Sequence, residues 1–171
     1  MTQGRLAAAG TVRGVFFSLG TTPTHDPQFD CAAAIAGLFK QARNTAHAAI
    51  YSLTEPSIVA AMIAAHKRGV EVGVVADQTE SKNPAMAAAL KKLTQAGVTV
   101  HIAVRQKALM HNKVGIFDSQ TVCLGSFNWT TNAEKNNDEN LMIVDGPDVA
   151  ADYEKYIYQR ILANETLVKP A

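Results

Sequence analysis

Apolar and polar positions divide this chain into strands and helices that take turns. Thr11 to Leu19, with apolar Val12, Val15, Phe16 and Phe17, predicts a first strand, and Thr21 to Asp26, with Pro23, predicts a turn. An alanine-rich helix is expected from Pro27 to near Arg43, with Cys31, Ile35, Leu38 and Phe39 at helical spacing and Asp26 as its N-cap. Ala46 to Leu53 reads as a strand. Thr54-Glu55-Pro56 then opens a second helix that runs through Lys67 and ends at Gly69. Val70 to Ala76 is a short apolar run suited to a strand buried on both faces.

Asp77 to Pro84 is polar and predicts a loop at the edge of a site, followed by a helix from Ala85 to Ala96 closed by Gly97. Val98 to Val104 is another strand, and Arg105 to Leu109 forms an approach loop. Val114–Phe117 and Thr121–Leu124, joined by the turn-like Asp118-Ser119-Gln120, predict a hairpin of largely buried strands. A polar loop is expected over Asn132–Asp138, a returning strand over Asn140–Val144 and a turn at Asp145-Gly146-Pro147. A closing helix follows from Asp148 to near Asn164, with Val149, Tyr153, Tyr156, Ile157 and Ile161 on one stripe; the tail Glu165–Ala171 is expected to be loose. This order implies one α/β domain over residues 1–171, with a mixed, mostly parallel central sheet flanked by helices on both faces. No linker, repeat or low-complexity block divides it.

The stretch from Met110 to Asn140 concentrates chemistry. On a strand, residues two apart share a face, so His111 and Lys113 project together and Asn112 away from them. Imidazole is largely unprotonated near neutral pH and can act as a nucleophile. A lysine ammonium can hold a phosphate oxygen as a point charge. Ser126 and Asn128, again two apart, add hydroxyl and amide donors for a transition state that spreads negative charge over non-bridging oxygens. Gly125 permits a close backbone approach or a sharp turn. Glu139 is the candidate to accept a bond from the second nitrogen of His111 and fix its tautomer. Trp129 reads as a packing anchor.

His111-x-Lys113-x-x-x-x-Asp118, followed by Gly125-Ser126-x-Asn128, resembles the HKD signature of the phospholipase D superfamily. The short chain, with Ala133-Glu134-Lys135 ahead of Glu139-Asn140, is similar to that family's single-motif bacterial nucleases. The similarity extends upstream through Tyr51-Ser52-Leu53-Thr54 and His66 to Val72. The resemblance implies that fold, with His111 as covalent nucleophile, Lys113 and Asn128 as phosphate ligands, and Ser126 and Glu139 as support. Asp118 joins the catalytic set in a supporting role that is first of all structural.

Formal net charge is only +1, so global steering of an anion is not implied. The distribution says more. Ser81 to Phe117 holds no Asp or Glu but includes Lys82, Lys91, Lys92, Arg105, Lys107 and Lys113, whereas Asp118 to Glu154 holds eight acids. Arg105 and Lys107 are candidates for flanking phosphates, with a solvated loop as the alternative. The two cysteines, Cys31 and Cys123, lack a zinc-type spacing; reduced thiols and a disulfide both stay open, and Cys123 suits a small hydrophobic role. No apolar run approaches the roughly 18 residues of a membrane span, so stable membrane insertion is not expected. Leu6 to Gly10 is small-residue sequence that could follow a removed leader, which leaves a periplasmic or secreted location beside a cytoplasmic one.

An in-line displacement needs a nucleophile on one side and an acid on the other. The other histidines, His25, His47, His66 and His101, lack the motif's context, and His47 has no lysine two residues on. A two-fold homodimer would supply the second imidazole, as the resemblance also implies for short relatives. The expectation is a metal-independent, cofactor-free phosphodiesterase: a sequence-nonspecific endonuclease acting on DNA and, by the same chemistry, RNA. The alternatives are a phospholipase D or cardiolipin-type lipid hydrolase, and a catalytically spent nucleic-acid-binding protein.

Overall fold

A computed structural model of the chain describes residues 10–20, 30–104, 108–164 and 166–168. Its centre is an eight-stranded sheet in the order β1-β7-β6-β5-β2-β3-β4-β8. The strands are β1 (Thr11–Leu19), β2 (Thr45–Ile50), β3 (Glu71–Asp77), β4 (Thr99–Val104), β5 (Lys113–Phe117), β6 (Thr121–Gly125), β7 (Asp138–Asp145) and β8 (Thr166–Val168). The helices are α1 (Cys31–Gln41), α2 (Pro56–Lys67), α3 (Pro84–Gln95), α4 (Thr131–Asn136), α5 (Pro147–Tyr153) and α6 (Arg160–Asn164).

Period-two alternation divides the apolar side chains between two layers. Ala46, Ala48 and Ile50 of β2, and Val72, Val74 and Ala76 of β3, pack with α1, α2 and α3. Their neighbours Ala49 and Val75 face the opposite way, onto Ala150, Tyr158 and Ile161 of the C-terminal helical stretch. Both faces are thus covered, which explains why β3 is apolar without a break from Val72 to Ala76. The sheet is mixed, as expected, but parallel pairing is the smaller part: β2–β3 and β3–β4 are parallel and the other five pairings antiparallel. The reason lies in the edges. The alternating β/α pattern ends at β4; after it β5 and β6 are joined by a tight turn, β6 and β7 by the loop that carries α4, and β1 closes onto β7, so every pairing on that side is antiparallel.

Several boundaries differ from the sequence reading. Helix α1 starts at Cys31, capped by Asp30, whose carboxylate accepts the Ala33 N–H at 2.6 Å; the expected start at Asp26-Pro27 lies outside the described residues. The polar loop after Trp129 contains α4, capped by Thr130. The closing helix is interrupted by a π-helical turn over Glu154–Gln159. The tail, expected to be loose, adds β8 to the edge of β4. Glu80–Lys82 forms a 3₁₀ turn inside the expected 77–84 loop.

His47 is structural, as its context suggested. Its Nδ1 lies 2.9 Å from Glu154 and its ring stacks on Tyr158 at 4.4 Å. A Cβ at Gly73 would collide with the Tyr158 hydroxyl, so the glycine makes room for this packing. Both cysteines are free and buried, and burial pushes each thiol up to about 12.

Candidate active site

The sheet topology brings Lys113, Ser126 and Glu139 to one end, with His111 just ahead of β5. β2 ends at Ile50, which pairs with Lys113 at the start of β5. β6 ends at Gly125, which pairs with Leu141 of β7, and Ser18 of β1 pairs with Glu139. β3 reaches the same end of the sheet at Asp77.

His111 is exposed, and Lys113 beside it is buried. The Lys113 Nζ lies 3.0 Å from His111 Nε2 and donates to the His111 carbonyl at 3.1 Å. A charged ammonium can only donate, so a hydrogen bond between the two requires Nε2 as the acceptor. Burial lowers the Lys113 pKa below the usual lysine value, while the negative charges of Glu139 and Asp77 act the other way. Tyr51, just past β2, completes the pocket: its ring centroid is 4.5 Å from that of His111 and 4.8 Å from Lys113 Nζ. Partial burial, and the charges of Glu80 and Asp77, push the Tyr51 hydroxyl above its ordinary pKa; it also bonds to Glu80.

Ser126 donates to Glu139 Oε2 at 2.5 Å and accepts from the Asn140 backbone N–H at 3.1 Å. Gly125 is required here: a Cβ would stand 2.1 Å from the Asn140 carbonyl oxygen. The loop after it is fastened to the start of α2, since the Trp129 N–H donates to Ser52 O and Trp129 O accepts from Thr54 and Glu55. Trp129 is fully buried, edge-on to Phe39 at 6.0 Å, so it is the packing anchor expected. It holds Asn128, whose Oδ1 is buried without a partner among the described residues.

Two sequence expectations need correction. Glu139 accepts from Ser126 and, at 3.0 Å, from Asn137, rather than from His111. It stands behind Ser126 because β7 pairs with β6, whereas His111 belongs to the chain ahead of β5. Asp118 is not brought to the site. It lies at the far end of β5, about 16 Å of strand from Lys113, in a turn where it and Ser119 have positive φ. Its carboxylate accepts the backbone N–H groups of Arg43, Asn44 and Thr45. Burial would raise its pKa, but those bonds outweigh it and hold the group below the usual carboxylate range. Its role is to tie the hairpin to the start of β2. Arg105 and Lys107 lie outside the described residues.

Sequence reasoning missed Tyr51 and Asp77 as members of this group. Asp77 is 1 % exposed, and its Oδ2 accepts the Met110 N–H at 2.7 Å. The signal was a lone carboxylate closing an apolar strand, a position that must find donors if it is buried.

A family model described as cardiolipin synthase, PLD-like domain, matches residues 35–161. The chain is 33% identical over 127 residues to a phospholipase D of Rickettsia bellii, covering 74% of this chain and 62% of that protein. It is 31% identical over 106 residues to a mitochondrial cardiolipin hydrolase of Xenopus laevis, covering 62% of this chain and 49% of the relative. The chain thus spans only about three fifths of the phospholipases D it matches. Among solved structures it is similar to Nuc, a phospholipase D family member from Salmonella typhimurium, with a TM-score of 0.79, 26% identity, and 94% of this chain and 99% of Nuc covered. NucT from Helicobacter pylori aligns with a TM-score of 0.73, 26% identity, and 89% and 98% of the two chains covered. With most of its length inside the family model and the His-Lys and Ser-x-Asn pairs gathered at one sheet end, the chain belongs to the phospholipase D superfamily.

Proposed function

We propose that this chain is a metal-independent phosphodiesterase that cleaves DNA, and RNA by the same chemistry, through a phosphohistidine formed at a site shared by two subunits. The observation that carries the reading is the exposed His111 imidazole with its Nε2 3.0 Å from the ammonium of buried Lys113. A phosphate entering here can draw the ammonium onto its own oxygen and release the Nε2 lone pair for attack. Nε2 bonds to phosphorus as the P–O bond to the leaving oxygen breaks. That oxygen takes its proton from the partner's His111. Water then attacks the phosphohistidine, gives its proton to the same partner imidazole, and restores His111. Lys113 and Asn128 hold the non-bridging oxygens, and Ser126 and Glu139 support them.

Nucleic acid is favoured because the chain matches Nuc and NucT over nearly their whole lengths, and because its motif resembles that of short single-motif nucleases. Phosphate-directed groups carry no base information, which fits cleavage without sequence preference. A lipid-hydrolase reading has one observation of its own: Leu109, two residues before His111, is 45% exposed, and an apolar residue there could meet an acyl surface.

The test is a plasmid-cleavage assay with and without excess EDTA, run beside anionic liposomes, on wild type and His111→Ala. Cleavage of DNA that survives chelation and disappears in His111→Ala is expected. Hydrolysis of liposomes alone would favour the lipid reading, and restoration of activity only by magnesium would overturn the mechanism. Trapping phosphate on His111 during turnover would exclude a spent site.

A further inference from the structure

We propose that Asp77 is a positioning residue for this reaction: its buried carboxylate holds the backbone that carries His111 and sets a negative charge near Lys113. The inference rests on the reading of His111 as nucleophile and Lys113 as phosphate-holding cation.

Asp77 ends β3 and is almost fully buried, yet no lysine or arginine pairs with it among the described residues. Its oxygens are met by backbone instead. Oδ1 accepts the N–H groups of Thr79 at 2.7 Å and Glu80 at 3.1 Å. Oδ2 accepts the N–H of Met110 at 2.7 Å. Met110 is fully buried and immediately precedes His111. On the other side of His111, the Asn112 carbonyl accepts the Tyr51 N–H at 2.7 Å. His111 itself lies before β5, outside any strand ladder. Its backbone is therefore pinned through its two neighbours, once by Asp77 and once by Tyr51. Two bonds of this length leave the imidazole little room to drift from Lys113, and misplacement by about 1 Å can cost about 100-fold in rate.

The second part concerns charge. Lys113 is met by His111 on its own segment and by the Tyr51 ring, which is bonded to Glu80; Ile50 pairs with Lys113 on one side and with Ala76 on the other, which brings Asp77 to the same sheet end, and the charges of Glu139 and Asp77 both favour the ammonium. Glu139 is engaged by Ser126 and Asn137 and belongs to the phosphate-supporting side. Asp77 is the carboxylate on the nucleophile's side, held in place by three backbone donors. It helps to keep the buried ammonium protonated, which the attack step requires.

The experiment measures kcat, KM and the pH dependence of kcat on a small chromogenic phosphodiester, so that it does not depend on whether the natural substrate is DNA or lipid. Four proteins are compared with wild type: His111→Ala, Asp77→Asn, Asp77→Glu, and a chain in which the Leu109–Met110 amide is replaced by an ester. Asp77→Asn removes the charge and leaves one acceptor oxygen where two had received three backbone N–H groups. It should lower kcat about 10- to 100-fold, leave KM nearly unchanged, and move the alkaline limb to lower pH. Asp77→Glu should restore the limb without restoring kcat. The ester removes the Met110 donor and keeps the Asp77 charge, so it should lower kcat and leave the limb in place. If Asp77→Asn does not fold, the ester decides, and wild-type kcat in the ester would overturn the inference. A folded Asp77→Asn with an unmoved alkaline limb, beside an inactive His111→Ala, would overturn it too while leaving the proposed function standing. An active His111→Ala would bring down the proposed function itself.

Discussion

At the residue scale, Lys113 has the most direct consequence. It stays buried beside an exposed histidine, and its lowered pKa follows from that burial. Activity needs the protonated form, so the rate should fall as pH rises through a value below the ordinary lysine pKa of about 10.4. Lys113→Met should remove that limb and lower kcat/KM by about 100-fold or more, as steady-state assays across pH would show. Asp118→Ala separates structure from chemistry. It strips three backbone N–H groups of their acceptor and should cost about 2 kcal/mol or more of stability, read as a lower denaturant midpoint. Its kcat per folded molecule should stay near wild type. The sequence made His111, Lys113, Ser126 and Asn128 legible through the spacing of the motif, although only Lys113 of the four lies on a strand: His111 precedes β5, and Ser126 and Asn128 follow β6. It could not show which way Asp118 points, since that depends on the start of β2 arriving beside the turn, more than seventy residues away in sequence.

At the element scale, the meander of β5, β6 and β7 makes the site, and its register depends on Gly125. Gly125→Ala would press a methyl group into the Asn140 carbonyl. It should destabilise the protein by about 1–3 kcal/mol and lower activity further, because Ser126 and Glu139 would separate; thermal melting beside the assay would read both. Helix α4 brings a different effect. Burial, and then the nearby charges of Asp30 and Glu55, push Glu134 up to about 7, although the Ala32 N–H donated to it acts the other way. A carboxylate whose pKa is raised on folding stabilises the fold below its unfolded value and loses that contribution as pH rises through the folded one. Stability should therefore decline between about pH 4.5 and about pH 8, and Glu134→Gln should flatten the decline in denaturant titrations. Periodicity revealed the strands and the three long helices, because each has one or two apolar faces to bury. It did not reveal α4 or β8: α4 has a single fully buried side chain, Ala133, and β8 is a three-residue edge strand made by backbone pairing to β4. The mixed character of the sheet was readable from the short Asp118-Ser119-Gln120 turn. The excess of antiparallel pairing was not, because β1 finding β7 is a long-range choice.

At the scale of the whole molecule, the described residues of one chain offer one exposed imidazole beside one buried ammonium at the end of the sheet. The remaining described histidines lie elsewhere: His47 under Tyr158, His66 in the last turn of α2, and His101 within β4. In-line displacement with a separate leaving-group acid is the reason we propose a second copy, which closed two-fold symmetry would supply without further sequence. Sequence alone raised this requirement, since it follows from counting histidines in context; the surface that joins the copies has no such signature. The central claim is that both imidazoles of the pair are needed for each turnover. It is tested most directly by co-refolding wild-type and His111→Ala chains in equal amounts and measuring phosphodiesterase activity per total protein. If both are required, only wild-type pairs act, and about a quarter of the activity of an all-wild-type sample should remain. Retention of about half would mean that each subunit works alone, and would contradict the shared site.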